Sequence, residues 1–274
     1  MSVEALPYTV LILLAEFTIG GLWVLLAADM RGSVARSFVK FGAVLLMISA
    51  ALTLVVAAII SVPLEVDGYR LDPAYMSPTR VSLAALFALT IPYSALVIKE
   101  ARQPSLVTGA AAATAGLVSL ALLAQVFALP TWGYVGTILS LLVGALAVGA
   151  VSMGMILGHW YLVTPRLPEK PLREMTALLL VVLAVQVVLL APNLALPHDS
   201  IPNAIDLSIN ENPFFWMRVA GGLAFPMLLT YMAFDSSGAR AMQSATGLLY
   251  IAMALVISGE ILAKGLLFVT AVPS

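Results

Sequence analysis

Residues 8–29, YTVLILLAEFTIGGLWVLLAAD, form an apolar stretch that is interrupted by one ionisable residue, Glu16, before it ends at Asp29. A helix needs about 20 mostly apolar residues to cross a bilayer, because in lipid each backbone group must be paired within its own segment. The stretch therefore predicts a transmembrane helix. No basic residue precedes it, as a cleavable signal peptide would require, so we expect it to remain in place as a helix.

Seven further stretches have the same character, at 38–62, 81–99, 105–128, 133–163, 174–196, 212–234 and 241–270. Of the 274 residues, 62% are hydrophobic and only 10% are charged, and the mean hydropathy is +1.06. Soluble domains carry roughly 25% charged residues. We therefore predict an all-α integral membrane protein, with a bundle of about eight transmembrane helices in a single domain over residues 1–274.

The basic residues predict the orientation of this bundle. Loops between the first and second, third and fourth, fifth and sixth, and seventh and eighth helices hold nine of the thirteen Lys and Arg residues: Arg31, Arg36, Lys40, Lys99, Arg102, Arg166, Lys170, Arg173 and Arg240. The other loops hold Arg70 and Arg80 and are mostly acidic. Because basic loops stay in the cytoplasm, we expect both termini on the non-cytoplasmic side and a multi-pass protein of the cell (cytoplasmic) membrane.

The composition also excludes several kinds of site. The chain has no cysteine, which rules out thiolate zinc sites and iron–sulfur clusters held by this chain alone. Its two histidines, His159 and His198, do not both fall in spanning segments, so we predict no bis-histidine haem and no metal. The net charge of −1 gives no reason to expect nucleic-acid binding.

Four ionisable residues lie inside predicted spans, where a charge costs roughly 2.5 kcal/mol or more. They are Glu16, Arg218, Glu260 and Lys264. At about 1.5 Å per residue they lie about 9–15 Å from the outer surface, all in the same half of the membrane. Two are acidic and two are basic, so the group can be neutral as a whole.

These four residues allow two interpretations. Glu260 and Lys264 are four residues apart, in the favourable order for a helical ion pair, and the charges could simply hold helices together. Alternatively, they form a polar pocket between the first, seventh and eighth helices that opens toward the outer face, in which Glu260 exchanges protons, Lys264 and Arg218 set the local field, and Glu16 contributes to binding.

Other polar residues give weaker indications. His159 lies near the inner end of the fifth helix beside Trp160 and Tyr161, where it could anchor the membrane interface or contact a proton or substrate. The in-span residues Gln125, Gln186 and Asn193 are more typical of helix–helix hydrogen bonds than of ligand contacts. Pro226, four residues after Gly222, predicts a kink in the seventh helix.

The last helix contains Gly259-Glu260, then Lys264, then Leu267-Phe268. This run resembles the Gly-Glu, basic residue, Leu-Phe run in the C-terminal helix of the membrane-anchor subunits of DMSO-reductase-type and polysulfide-reductase-type complexes, in which arginine is usual at the position of Lys264. The eight-helix plan with both ends outside is similar to those subunits as well. The resemblance implies quinol oxidation or quinone reduction near the outer face, with electrons passing to an iron–sulfur partner subunit.

We therefore expect a subunit of a membrane oxidoreductase that binds menaquinone or ubiquinone, lies in the lipid bilayer and works with an iron–sulfur or other redox partner. Glu260 would be the catalytic residue, and Glu16, Arg218, Lys264 and His159 would bind quinone or substrate. Two alternatives stay open: a small secondary transporter that uses the same charges as a coupling site, and a non-catalytic scaffold subunit in which the ion pairs only set helix register.

Overall fold

The computed structural model describes residues 4–66, 68–128, 133–164, 167–195 and 212–270. Its helices are α1 (Leu6–Arg31), α2 (Arg36–Ile59), α3 (Met76–Ile98), α4 (Arg102–Val126), α5 (Gly133–Val163), α6 (Lys170–Ala195), α7 (Pro213–Val219), α8 (Phe225–Gly238) and α9 (Met242–Thr270). A short hairpin, β1 (Glu65–Val66) with β2 (Tyr69–Arg70), and a 3₁₀ turn, Pro73–Tyr75, lie between α2 and α3. His198 and the loop predicted at 197–211 lie outside the described residues.

Eight helical segments in the described part of the chain are long and apolar enough to cross a membrane. The seventh of them consists of α7, a π-helical turn at Ala220–Ala224, and α8. Large apolar side chains cover the outside of the bundle, among them Ile59, Val107 and Val188, each more than two-thirds exposed. So much apolar surface suits lipid and not water. The structure confirms the prediction of an all-α, eight-helix membrane bundle.

Helices α1 and α5 form the centre of the bundle and pack closely along their length. A Cβ atom at Gly20 of α1 would collide with the carbonyl group of Ala145 on α5, and one at Gly149 of α5 would collide with the backbone of Gly20. In lipid, helices associate through such close backbone contact, since lipid removes the hydrophobic force that operates in water. The central position of α1 explains how Glu16 becomes buried.

Ion pairs join the four basic loops at one end of the bundle, called here the basic end. Arg31 Nε lies 3.8 Å from Glu174 Oε2, Lys40 Nζ lies 2.7 Å from Glu100 Oε1, and Arg240 Nη2 lies 2.7 Å from Glu169 Oε2. Each pair links different loops or helix ends that the sequence assigned to the same side. The hydrogen bond from Lys40 also lowers the pKa of the Glu100 carboxyl group.

The opposite end is covered by four buried aromatic side chains, which we call the aromatic cap: Tyr8, Tyr69, Phe127 and Phe268. Contacting rings have centroids 5.5–6.2 Å apart. Tyr69, on β2, donates a hydrogen bond to the Phe127 carbonyl oxygen at 2.6 Å, and burial raises the pKa of its hydroxyl group. The hairpin thus ties the loop between α2 and α3 onto the helix ends.

Helix α3 begins at Met76, five residues before the predicted start at 81. The first turns of α3 contain polar residues, so hydropathy alone did not include them in the predicted span. Arg80 lies in these turns and donates to the carbonyl oxygens of Ala57 and Ile60, at 2.8 and 2.6 Å, at the C-terminal end of α2. The arginine therefore satisfies carbonyl groups that a helix end leaves without intrahelical partners.

Candidate functional site: a buried four-charge network

The four ionisable residues predicted inside the spans come together in the structure. Lys264 Nζ lies 2.7 Å from Glu16 Oε1 and 3.0 Å from Glu260 Oε2, and Arg218 Nη2 lies 3.1 Å from Glu260 Oε1. Helices α1, α7 and α9 supply these side chains, as the pocket interpretation predicted. Lys264 therefore pairs with two carboxylates, not only with the one on its own helix. We call these four residues the four-charge network.

All four side chains are almost completely buried, at 0–2% residue exposure. Removing an ion from water costs several kcal/mol even after the protein relaxes, so an isolated charge could not remain here. Two carboxylates and two cations give a formal charge of zero, and each charge has at least one opposite neighbour within 3.1 Å. Mutual pairing thus offsets the cost of burial.

Gln186 on α6 is a fifth member of the site. Its Nε2 donates to Glu260 Oε1 at 2.7 Å. Sequence reasoning placed Gln186 among residues typical of helix–helix hydrogen bonds, which it does form, but did not connect it to Glu260. In the sequence, Gln186 stands out only as an uncharged polar residue inside a span, and Gln125 has the same character.

A π-helical turn in the seventh span begins at Ala220, just after Arg218. Pro226 has no N–H group, and its ring would collide with the carbonyl group four residues earlier, that of Gly222. The π turn at Ala220–Ala224 occurs at this point, and the Gly222 carbonyl oxygen instead accepts from Arg218 Nη1 at 3.3 Å. The predicted kink is thus a π turn, which is a feature frequent at functional sites.

Two glycines let the seventh span approach α9 beside Arg218. A Cβ atom at Gly222 would lie 2.6 Å from the Cα atom of Gly259, and one at Gly259 would lie 2.7 Å from Arg218 Nη1. On α5, a Cβ atom at Gly144 would lie 2.5 Å from Glu16 Oε1 and 3.0 Å from Glu260 Oε2. The network therefore occupies space that larger residues at these positions would fill.

Pairing within the site is incomplete. Among the described residues, Glu16 Oε2, Gln186 Oε1 and Arg218 Nε have no hydrogen-bond partner although all three atoms are buried. A buried polar atom without a partner costs about 1–3 kcal/mol. The site thus retains one unused donor and two unused acceptors, which a bound polar molecule could satisfy.

His159 does not join the network. It is exposed near the basic end of α5, where its Nδ1 lies 3.2 Å from the Tyr250 hydroxyl oxygen. It follows Gly144, which contacts both carboxylates of the network, by 15 residues on the same helix, or about 22 Å at 1.5 Å per residue. His159 is therefore a separate candidate contact at the other end of the bundle.

Neither a protein family model, a curated protein nor a solved structure matches this chain. The fold and the site define the class: a multi-pass helical membrane protein with a buried, charge-balanced polar site. Within the described ranges, no three histidine, aspartate or glutamate side chains are grouped so that they could hold a metal ion.

Proposed function

We propose that this chain is a quinone-binding subunit of a membrane oxidoreductase, in which the four-charge network and Gln186 bind the quinone ring. The observation that carries the proposal is a buried, neutral charge network that leaves a donor and acceptors unused. Ionisable residues inside a bilayer are rare, and by default they point to a substrate or proton path. The partner would be an iron–sulfur or other redox subunit that exchanges electrons with the quinone.

The unused atoms fit a quinone chemically. A quinone oxygen accepts hydrogen bonds, which Arg218 Nε can donate, and the hydroxyl group of a quinol donates one, which Glu16 Oε2 can accept. A bound menaquinone or ubiquinone would supply two-electron, two-proton redox chemistry. Gln186 would help to orient the ring through its amide group.

The chain's own residues provide a route for a proton. Lys264 Nζ lies between Glu16 Oε1 and Glu260 Oε2, within 3.0 Å of both oxygens. A proton received at Glu16 Oε2 therefore has a connection to Glu260, the residue we propose as the catalytic proton exchanger. Arg218 and Gln186 hold the Glu260 carboxylate in place through its other oxygen, Oε1.

Binding of a quinone analogue tests this proposal directly. We expect saturable binding by the purified protein, and a loss of about 10- to 100-fold in affinity for two variants. Glu16→Gln removes the negative charge and one of the two acceptor oxygens, and Gln186→Leu removes the whole amide group. Both changes are close in size to the native side chain, so thermal unfolding will show whether the fold survives. The stronger changes Glu260→Gln and Arg218→Ala should abolish binding.

Two outcomes would contradict the proposal. A folded wild-type protein that binds no quinone analogue, even together with its partner subunits, would remove the quinone function. Alternatively, Glu16→Gln and Gln186→Leu could keep the wild-type affinity for the quinone analogue while His159→Asn loses it. That result would place the quinone site at the basic end.

We further propose that the basic end faces the cytoplasm and that both termini lie outside, in the cell membrane. Since the chain contains no cysteine, single cysteines can report the topology. A membrane-impermeant maleimide added to intact cells should label the variant Glu65→Cys, in β1. The variants Ser33→Cys and Glu100→Cys, at the basic end, should be labelled only after the cells are permeabilised. Labelling of Ser33→Cys in intact cells without labelling at Glu65 would invert this orientation.

A secondary transporter is the second candidate, and the π turn beside Arg218 is the observation that favours it. Many transporters bind their substrates at irregular points of spanning helices, and a π turn is a milder irregularity than the unwound breaks that such transporters contain. Uptake by liposomes that contain this chain alone, abolished by Glu16→Gln, would support transport over redox chemistry. If the network is only a scaffold, Glu16→Gln would alter assembly with partner subunits and nothing else.

A further inference from the structure

A cleft of about 90 Å³ lies at the basic end between the C-terminal part of α1 and the N-terminal part of α6. Its deeper walls are apolar and include Val24, Met175 and Leu178, whereas its mouth carries Arg31, Ser33 and Glu174. The volume equals that of about three liquid water molecules, enough for a small charged group or a few methylene groups. The cleft is amphipathic along the direction of the spans.

Arg31 and Glu174 line the cleft, Lys170 lies beside it next to Pro171, and these charges are unbalanced and loosely paired. Arg31 and Lys170 share the single carboxylate of Glu174, at 3.8 and 3.9 Å, which is beyond hydrogen-bonding distance. The side chains of Arg31 and Lys170 are 62% and 78% exposed. Other ion pairs at this end are in direct hydrogen-bonding contact, such as Lys40 with Glu100 at 2.7 Å. Two cations therefore face one distant anion, with capacity left for a second one.

We propose that this cleft binds an anionic glycerophospholipid, with Arg31 and Lys170 contacting its phosphate group and an acyl chain lying against Val24, Met175 and Leu178. Arg31 and the apolar wall line one opening at the end of the spans, where lipid headgroups meet acyl chains, and Lys170 directly precedes the lining residue Pro171. Basic clefts between transmembrane helices are suited to phosphate headgroups. A free phosphate ion would use the cations but not the apolar wall.

Native mass spectrometry of the full-length protein, with phosphatidylglycerol or phosphatidylcholine added, tests the site. We expect preferential retention of phosphatidylglycerol, weakened about 25-fold in the variant Arg31→Gln/Lys170→Gln, because each of the two basic residues near an anionic headgroup contributes about fivefold in affinity. The matched control Lys40→Gln/Arg240→Gln removes two charges at the same end but outside the cleft, and it should retain the lipid as the wild type does.

The variant Glu174→Gln provides a test in the opposite direction. It removes the carboxylate that competes for both cations, so retention of phosphatidylglycerol should rise. Equal retention of the two lipids, equal loss in the cleft and control variants, or weaker retention in Glu174→Gln would each overturn the proposal. Displacement of the lipid by millimolar inorganic phosphate would overturn the lipid as occupant and identify a free phosphate site instead.

Discussion

Replacing Glu260 by alanine should lower the free energy of unfolding by about 3–5 kcal/mol, because the change leaves buried cations without their shared carboxylate. Arg218 would keep its hydrogen bond to the Gly222 carbonyl oxygen, and Lys264 would keep its ion pair with Glu16. The site would then hold two positive charges and one negative charge inside the bundle. Reversible unfolding in detergent micelles on titration with SDS measures the loss.

Two comparisons separate this effect from a general cost of mutation. Glu174→Ala removes a carboxylate that is 38% exposed and only loosely paired, and it should cost no more than about 1 kcal/mol. The double variant Glu260→Leu/Arg218→Leu removes one charge of each sign, so it should be more stable than Glu260→Ala. If Glu260→Ala is as mild as Glu174→Ala, the four-charge network does not hold the bundle together.

Replacing Gly20 by alanine should cost about 3 kcal/mol, at the upper end of the usual range for overpacking. The added methyl group would collide with the carbonyl group of Ala145, and backbone atoms cannot turn aside as the end of a long side chain can. Helices α1 and α5 would have to separate, which would also shift Glu16 relative to Lys264. SDS titration should show lower stability and, if our functional proposal holds, weaker quinone binding.

Gly247→Ala is the matched control for this change. Gly247 lies within α9, and apart from the adjoining backbone of that helix no atom of the described residues lies within 4 Å of the position that its Cβ would occupy. Alanine there should leave stability unchanged or raise it by up to about 1 kcal/mol, since alanine favours helix over glycine. Equal stability of Gly20→Ala and Gly247→Ala would show that α1 and α5 are not in close backbone contact.

Much of the site could be predicted from the sequence, because a charged residue inside an apolar span is visible without knowledge of the fold. Glu16, Arg218, Glu260 and Lys264 were found in this way, and they lie together. Gln186 could not be distinguished from Gln125, since both are uncharged polar residues within spans. The sequence did place His159 near the inner end of the fifth helix and the four charges in the outer half, and the structure likewise separates His159 from the network along α5.

The sequence by itself determined the eight spans and the alternation of basic and acidic loops. The physical reason is that each spanning segment must pair its own backbone groups in lipid, so its length and hydropathy are local properties. Only the tertiary structure decided that Lys264 joins two carboxylates, that Gln186 contacts Glu260, and that an aromatic cap covers one end. These contacts join residues far apart in the chain, and they depend on glycine-mediated helix packing, which no local pattern encodes.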